Sequence, residues 1–273
     1  MLFVAGWSRS LLLLAILVKE WLQVIKQAGL LQVAGLLLLS SSVWVQPSHA
    51  VQPRIVEVPA GPAFVQLPGA SEMTARSGQA LRTNALLRTN QPGRMQVLLG
   101  NGRQFRMGGD AQLRLGSSNV ELLKGSIIGW VQPGLPQSNP FRIKTRLATA
   151  SIQGTTVFIE YTEERFKVFS WEGTVTVETR SGERFTLTSG QQLLLDLKRQ
   201  MDQVSTRLDG LEASLSALEA GTSMVPQWEP PQLIPRKDAE HRLESSPLIN
   251  GFSRPLETLP VIQRELGLTA PSP

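Results

Sequence analysis

Hydrophobic and polar residues alternate in short runs along residues 54–196, and glycine-centred turn signals separate the runs. Residues 141–147 are a clear example, in which apolar or neutral and basic side chains take opposite faces of a strand: Phe141, Ile143, Thr145 and Leu147 against Arg142, Lys144 and Arg146. Short strands at intervals of about 8–12 residues are typical of all-β sandwiches, barrels and solenoids. No helical period interrupts them. The pattern predicts a mainly β unit over residues 54–196, a twisted β-sandwich or a β-solenoid-like domain.

The period changes to 3.5 residues over residues 194–218, where leucine, methionine and valine recur at alternating spacings of three and four. This predicts an amphipathic helix over residues 197–220, its first turn overlapping the last strand. Two interpretations remain open. The helix packs back on the sheet, or it forms a short coiled coil that holds a weak homo-oligomer together. Gly210 favours the first, because glycine inside a helix costs about 1 kcal/mol.

Residues 221–273 contain half of the 18 prolines of the chain. Proline at that density interrupts both helices and sheets. We therefore predict a proline-rich, disordered tail, with at most a short helix near residues 261–266.

Residues 1–50 hold two apolar stretches, at 11–18 and 28–39, separated by charged and polar residues. Neither reaches the ~18 residues of a membrane-spanning helix. Ser48 and Ala50 bracket a bulkier residue, as signal peptidase requires, so we expect a signal peptide cleaved after Ala50. The alternative is an uncleaved inner-membrane anchor. Both place the rest of the protein in the periplasm or outside the cell.

Composition removes several functional classes. The chain of 273 residues has no cysteine and only two histidines, which excludes thiol catalysis, disulfides and multi-histidine metal sites. A net charge of +5 is small for a nucleic-acid-binding protein. No glycine-rich phosphate loop precedes a helix. We expect no enzyme activity, no catalytic residues, no cofactor, no metal and no nucleic-acid partner.

A set of glycines punctuates the β segment at motifs that recur in order along the chain. The motifs are Leu99-Gly100-Asn101-Gly102, Lys124-Gly125, Pro140-Phe141, Gly154-Thr155, Trp171-Glu172-Gly173 and Gly190-Gln191. We assign Gly102, Gly125, Gly154, Thr155, Gly173 and Gly190 as fold-signature residues; most of these glycines should turn hairpins at positive φ, and Gly154 should lie at a bulge or a close backbone approach.

Over some 140 residues this order resembles the FecR domain family of bacterial envelope proteins. The resemblance implies a periplasmic β domain of a transmembrane regulator, which receives a signal from an outer-membrane transporter and controls a sigma factor. We expect the domain and the compartment to apply here, and not the iron-signalling role, because a helix and a proline-rich tail follow the β segment where such regulators have a small α/β module.

Charge is distributed unevenly along the β segment. Seven arginines between residues 76 and 114 accompany one acid, Asp110, and Arg142, Lys144 and Arg146 add a second basic stripe. Either these are solvated strand faces that discourage edge pairing, or they bind an anionic partner. We therefore predict a non-catalytic interaction or signalling module that binds an envelope protein. The alternatives are a structural component that binds anionic polysaccharide or lipopolysaccharide, and a sigma-factor regulator of the iron-transport type.

Overall fold

The computed structural model describes residues 52–134, 140–202 and 226–268, together with Lys19. Contacts divide the chain into residues 1–49 and 50–273, and only the second unit is described below. Within the described ranges, no helix has the length and apolarity needed to cross a membrane.

Sixteen strands form one hydrogen-bonded network. The strands are β1 (Arg54–Ala60), β2 (Ala63–Gln66), β3 (Met73–Thr74), β4 (Leu86–Thr89), β5 (Arg94–Leu98), β6 (Arg103–Met107), β7 (Gln112–Leu115), β8 (Asn119–Val131), β9 (Phe141–Lys144), β10 (Ala148–Ile152), β11 (Thr156–Tyr161), β12 (Arg165–Glu172), β13 (Val175–Thr179), β14 (Arg184–Leu187), β15 (Gln191–Asp196) and β16 (Gln232–Leu233). The prediction of a mainly β fold is confirmed.

The strand β8 belongs to two sheets. Its second half pairs with β6 and β11 in sheet A, whose order is β1-β5-β6-β8-β11-β12-β15-β16. Its first half pairs with β7 and, in parallel, with β9 in sheet B, whose order is β3-β2-β4-β7-β8-β9-β10-β13-β14. The inward side chains of both sheets form a single buried cluster, which includes Phe105, Leu122, Ile143 and Val168.

Four of the five signature glycines, Gly125, Gly154, Gly173 and Gly190, lie where the chain passes between the sheets. Gly154, Gly173 and Gly190 connect β10 to β11, β12 to β13 and β14 to β15, and Gly102 ends the 3-10 turn Gly100–Gly102 of the β5–β6 hairpin. All have positive φ, as does Gly125. The prediction of hairpins is wrong at Gly125, because β8 continues through it, and at Gly173 and Gly190, because the strands on either side pair with other strands and not with each other. A Cβ on Gly125 would lie 2.5 Å from the Ala111 Cα, so glycine allows the strand to change sheets.

Two signature motifs contact each other. A Cβ on Gly173 would lie 2.5 Å from the Thr155 Cγ2, and Thr155 itself is buried. The Thr155 side chain therefore occupies the space that a Cβ on Gly173 would need. The prediction of a bulge or close approach at Gly154 is wrong: the extra residue is Trp171 of β12, between the pairs Thr156–Glu172 and Val157–Ser170, and a Cβ on Gly154 would meet no atom within 4 Å.

The prediction of a disordered tail is wrong for residues 226–268. This segment contains β16 and three helices, α1 (Arg236–Ser245), α2 (Pro247–Asn250) and α3 (Leu259–Glu265). Prolines stand at or just before the helix starts: Pro235 caps α1, Pro247 begins α2 and Pro260 lies in the first turn of α3. A proline in a first helical turn loses no hydrogen bond, so proline density did not prevent folding.

The tail residues pack on the outer face of sheet A. Leu248, Ile249 and Ile262 form a second buried cluster with Phe169 and Trp171 of β12. Sheet A is therefore buried on both faces. Residues 197–202 are helical, as expected for the start of the amphipathic helix. Its remainder, and with it the proposed oligomer contact over residues 194–218, lies largely outside the described residues.

Candidate functional site

The predicted contact face lies on sheet B. Arg142 and Lys144 of β9 are exposed, as the alternation requires, and Arg146 is exposed in the β9–β10 turn. With Arg180 they line a shallow groove. Acids interrupt this surface, because Lys144 is the cross-strand partner of Glu121, and Glu178 lines the same groove.

Those acids already have basic partners. Glu121 forms an ion pair with Arg114 at 2.9 Å, and Glu178 pairs with Arg184 at 3.5 Å. Thr149 separates Lys144 from Glu178 in the pairing order of the strands. The outer face of sheet B therefore carries interleaved charges of both signs, and Arg142 and Lys144 of β9 are exposed cations on it.

The arginines between residues 76 and 114 do not form one basic surface. Arg88 holds Glu72 through two hydrogen bonds, of 3.0 and 2.6 Å. Arg106 is only 1% exposed. The sequence shows seven cations in one segment, but the topology sends them to different sheets, faces and partners.

Arg106 attaches the tail to sheet A. Its guanidinium donates to the backbone oxygens of Leu248 (3.2 Å), Ile249 (2.9 Å) and Arg254 (2.6 Å). The same group lies 4.2 Å from the centre of the Phe252 ring and donates through Nε to Gln96 Oε1. Burial lowers the pKa of Arg106 to about 10, and the group stays charged at neutral pH.

A second polar contact joins the tail to β11 and β12. Thr156 Oγ1 lies 2.8 Å from Glu172 Oε1 and 2.6 Å from Thr258 Oγ1 of the tail. Burial raises the pKa of Glu172 to about 7, an effect that the Thr156 hydroxyl opposes and the Glu265 carboxylate adds to. Glu265 itself accepts hydrogen bonds from Ser189 Oγ and the Gly173 N–H, which lower its pKa.

A cleft of about 480 Å³ lies between sheet A and the helices α1 and α2. Phe158, Phe169 and Trp171 supply its aromatic wall. The rings of Phe169 and Trp171 meet edge to face, with centroids 4.7 Å apart. Arg94, Lys167 and Arg242 also line the cleft, and they come from β5, β12 and α1.

Two of these cations stand over aromatic rings of the wall. The Lys167 Nζ lies 5.6 Å from the centre of Phe158, and the Arg242 Cζ lies 5.4 Å from the centre of Phe169. The pKa of Lys167 is lowered to about 8, chiefly by burial and in part by the nearby charge of Arg242. Burial also lowers the pKa of Arg242.

Sequence reasoning missed both the cleft and the tail contact, because their residues are far apart in the chain. One feature of the sequence nevertheless indicates that the outer face of sheet A is buried. Phe158, Phe169 and Trp171 break the alternation of apolar and polar residues in β11 and β12, which indicates a sheet buried on both faces. Among residues 52–134, 140–202 and 226–268, no group of three acidic or histidine side chains could hold a metal ion.

Part of the chain that contains these residues matches a known protein family. The model of the FecR protein family matches residues 85–176, from the residue before β4 to the second residue of β13. This segment is similar to the FecR protein family. It contains Arg106, the contact between Thr155 and Gly173, and the exposed strand β9. The remaining strands and the tail helices extend the matched segment on both sides.

Two solved structures are also similar. Both are crystal structures described as a "putative anti-sigma factor" from Parabacteroides distasonis, at 1.65 and 2.50 Å resolution. The first is 21% identical with a TM-score of 0.37, and the match covers 41% of this chain and 55% of that chain. The second is 16% identical with a TM-score of 0.37, and the match covers 61% and 91%. No curated protein matches the sequence.

Proposed function

We propose that this protein is a non-catalytic regulatory module of the bacterial cell envelope, located outside the cytoplasm, which acts by binding another protein. The similarity of residues 85–176 to the FecR protein family carries the proposal. The apolar stretches and the Ser48-His49-Ala50 sequence ahead of this segment support the location, since they resemble a signal peptide.

The location is tested by fusing alkaline phosphatase, an enzyme that matures only outside the cytoplasm, after residue 273. We expect an active fusion. A version that lacks residues 1–50 should be inactive at an equal amount of protein. A high activity of β-galactosidase, a reporter that is active in the cytoplasm, fused at the same position would contradict the proposed location.

The regulatory role is tested by removing the gene and measuring all transcripts. A regulator should change a small set of transcripts, and the wild-type gene should restore them. Site-specific photo-crosslinkers placed on the exposed face of sheet B should then capture a discrete protein. A co-purified sigma factor would instead support the regulator of the iron-transport type.

A second function is favoured by one observation. Arg142, Lys144, Arg146 and Arg180 line one groove of sheet B and are exposed, which suits an anionic envelope polymer. The interleaved Glu121 and Glu178 reduce the net charge of that groove. Salt-sensitive retention of the protein by purified lipopolysaccharide, with an unchanged transcriptome after gene removal, would support this structural role over the regulatory one.

A further inference from the structure

The cleft between sheet A and the helices α1 and α2 has the size of a small-molecule site. Its volume of about 480 Å³ falls within the range of about 300–1,000 Å³ that is usual for ligand pockets. Aromatic rings form one wall, and the β6–β7 connection contributes Gly108 and Gly109 to the lining.

The charges of the cleft are of one sign. Arg94, Lys167 and Arg242 line it, and no carboxylate does among the described residues. The acid nearest in the sheet is Glu160, the cross-strand partner of Lys167, and it forms its ion pair with Arg165 at 3.2 Å. Lys167 and Arg242, both partly buried, repel each other. Glu160 acts electrostatically on both and Asp238 acts on Arg242, but among the described residues neither acid forms an ion pair with these two cations. Such cations are costly to bury unless an anion compensates them.

The polar groups of the cleft that lack partners are donors. The indole N–H of Trp171, a residue only 2% exposed, has no acceptor among the described residues. The Nε of Arg94 is also buried without an acceptor. Arg94 is held close to the tail, because a Cβ on Gly251 would lie 2.9 Å from that Nε. Both atoms are inaccessible to solvent, so a ligand in the cleft would meet the charged groups of Lys167 and Arg242 and not these two donors.

We propose that this cleft binds a small aromatic carboxylate, whose ring packs against Phe158, Phe169 and Trp171 and whose carboxylate is held by Lys167 and Arg242. The ring satisfies the apolar wall, and the anion compensates the two cations. A carboxylate accepts hydrogen bonds only, which matches the cationic donors of Lys167 and Arg242. The proposal does not depend on the function proposed above.

Calorimetric titration of the purified full chain with 2-naphthoate tests the proposal, and the neutral amide of the same ring system, 2-naphthamide, is the matched ligand. We expect saturable binding of the carboxylate, at least about tenfold tighter than that of the amide. Lys167→Gln and Arg242→Gln should each weaken the binding of the carboxylate by about tenfold and leave that of the amide unchanged. Lys144→Gln on sheet B is the matched control and should leave both unchanged.

Acetylation of lysines by acetic anhydride at pH 7.5, followed by mass spectrometry of the peptides, gives a second readout that needs no variant. Lys167 should react readily because its pKa is lowered to about 8. Saturating 2-naphthoate should protect Lys167 and leave Lys144 reactive, and 2-naphthamide should protect neither. Protection of Lys167 would support the site even where a Lys167 variant fails to fold.

The proposal is overturned by any of three results. The first is the absence of saturable binding of 2-naphthoate to the wild-type chain. The second is equal binding of the acid and the amide, which would make the cleft merely apolar. The third is unchanged binding of 2-naphthoate by folded Lys167→Gln and Arg242→Gln variants, together with acetylation of Lys167 in the wild type at saturating ligand. That result would place the ligand elsewhere.

Discussion

The outer faces of sheets A and B carry different kinds of side chain. On sheet A, a cross-strand row runs through Gln96, Arg106, Ile128, Phe158 and Phe169, and the tail covers it. On sheet B, the corresponding row runs through Arg114, Glu121, Lys144, Thr149 and Glu178, and it stays in contact with solvent. The role of a basic side chain in this protein depends on the sheet face that carries it. Arg106 contributes to the folded core, whereas Lys144 and Arg114 contribute to the surface.

Replacement of the buried arginine should have the largest effect. Arg106→Ala leaves three tail carbonyls without their donor and removes the packing on Phe252. We expect a loss of about 4 kcal/mol in the free energy of unfolding, measured by urea denaturation. Arg114→Ala on sheet B is the matched control and should cost less than about 1 kcal/mol, because exposed ion pairs are weak. Equal losses would mean that the tail is not attached through Arg106.

The pH dependence of stability should also differ between the two faces, with the second-largest effect. The pKa of Glu172 rises from 4.5 to about 7 on folding, so its protonated form favours the folded state. This contribution is fully present below pH 4.5 and is lost as the pH rises through 7, at a cost of about 3 kcal/mol. Glu172→Gln should remove that part of the pH dependence of the melting temperature. Glu121→Gln on sheet B should leave the profile of the wild type, and a flat wild-type profile between pH 4.5 and 7.5 would contradict the burial of Glu172.

A single hydroxyl tests the tail contact more finely. Thr258→Val keeps the shape of the side chain and removes the hydrogen bond to Thr156. The expected loss is about 1 kcal/mol, again by denaturant unfolding. Thr149→Val, on the outer face of sheet B, serves as the control, and we expect no measurable loss there.

The smallest effect on stability should come from the basic face. Changing Arg142, Lys144 and Arg146 together to glutamine should alter the free energy of unfolding by no more than about 0.5 kcal/mol per residue. If the face binds an anionic polymer, the wild type should bind it less tightly as salt rises, because the contacts are screened over about 8–10 Å, and the triple variant should bind weakly at every salt concentration. An unfolded triple variant would show that this face is buried.

The strand pattern could be predicted where one face of a sheet is solvated. In β9 the alternation of Phe141 and Ile143 with Arg142 and Lys144 gives the correct outward residues. The outer face of sheet A was harder to predict, because its covering depends on contacts between residues more than 100 positions apart, such as Arg106 and Leu248. Proline counting then led to the wrong expectation for the tail, since a proline in a first helical turn begins a helix and does not break it.

Gly125 shows the limit of local reasoning about glycine. Its positive φ is common to a hairpin and to a strand that changes sheets, and only the position of the Ala111 backbone distinguishes them. The candidate cleft could not be predicted at all, because Arg94, Lys167 and Arg242 are separated by more than 70 residues from one another and meet only when α1 packs on sheet A.

The order in which the chain is made gives the tail contact a further consequence. A ribosome releases β12 well before Arg236, so the aromatic side chains of Phe158, Phe169 and Trp171 have no cover until the last segment of the chain follows. A stop codon or a protease cut ahead of residue 226 would remove β16 and leave this patch permanently open on the remaining strands. Such a truncated chain should associate with itself or with chaperones. The last 48 residues therefore decide whether the protein stays soluble or is degraded.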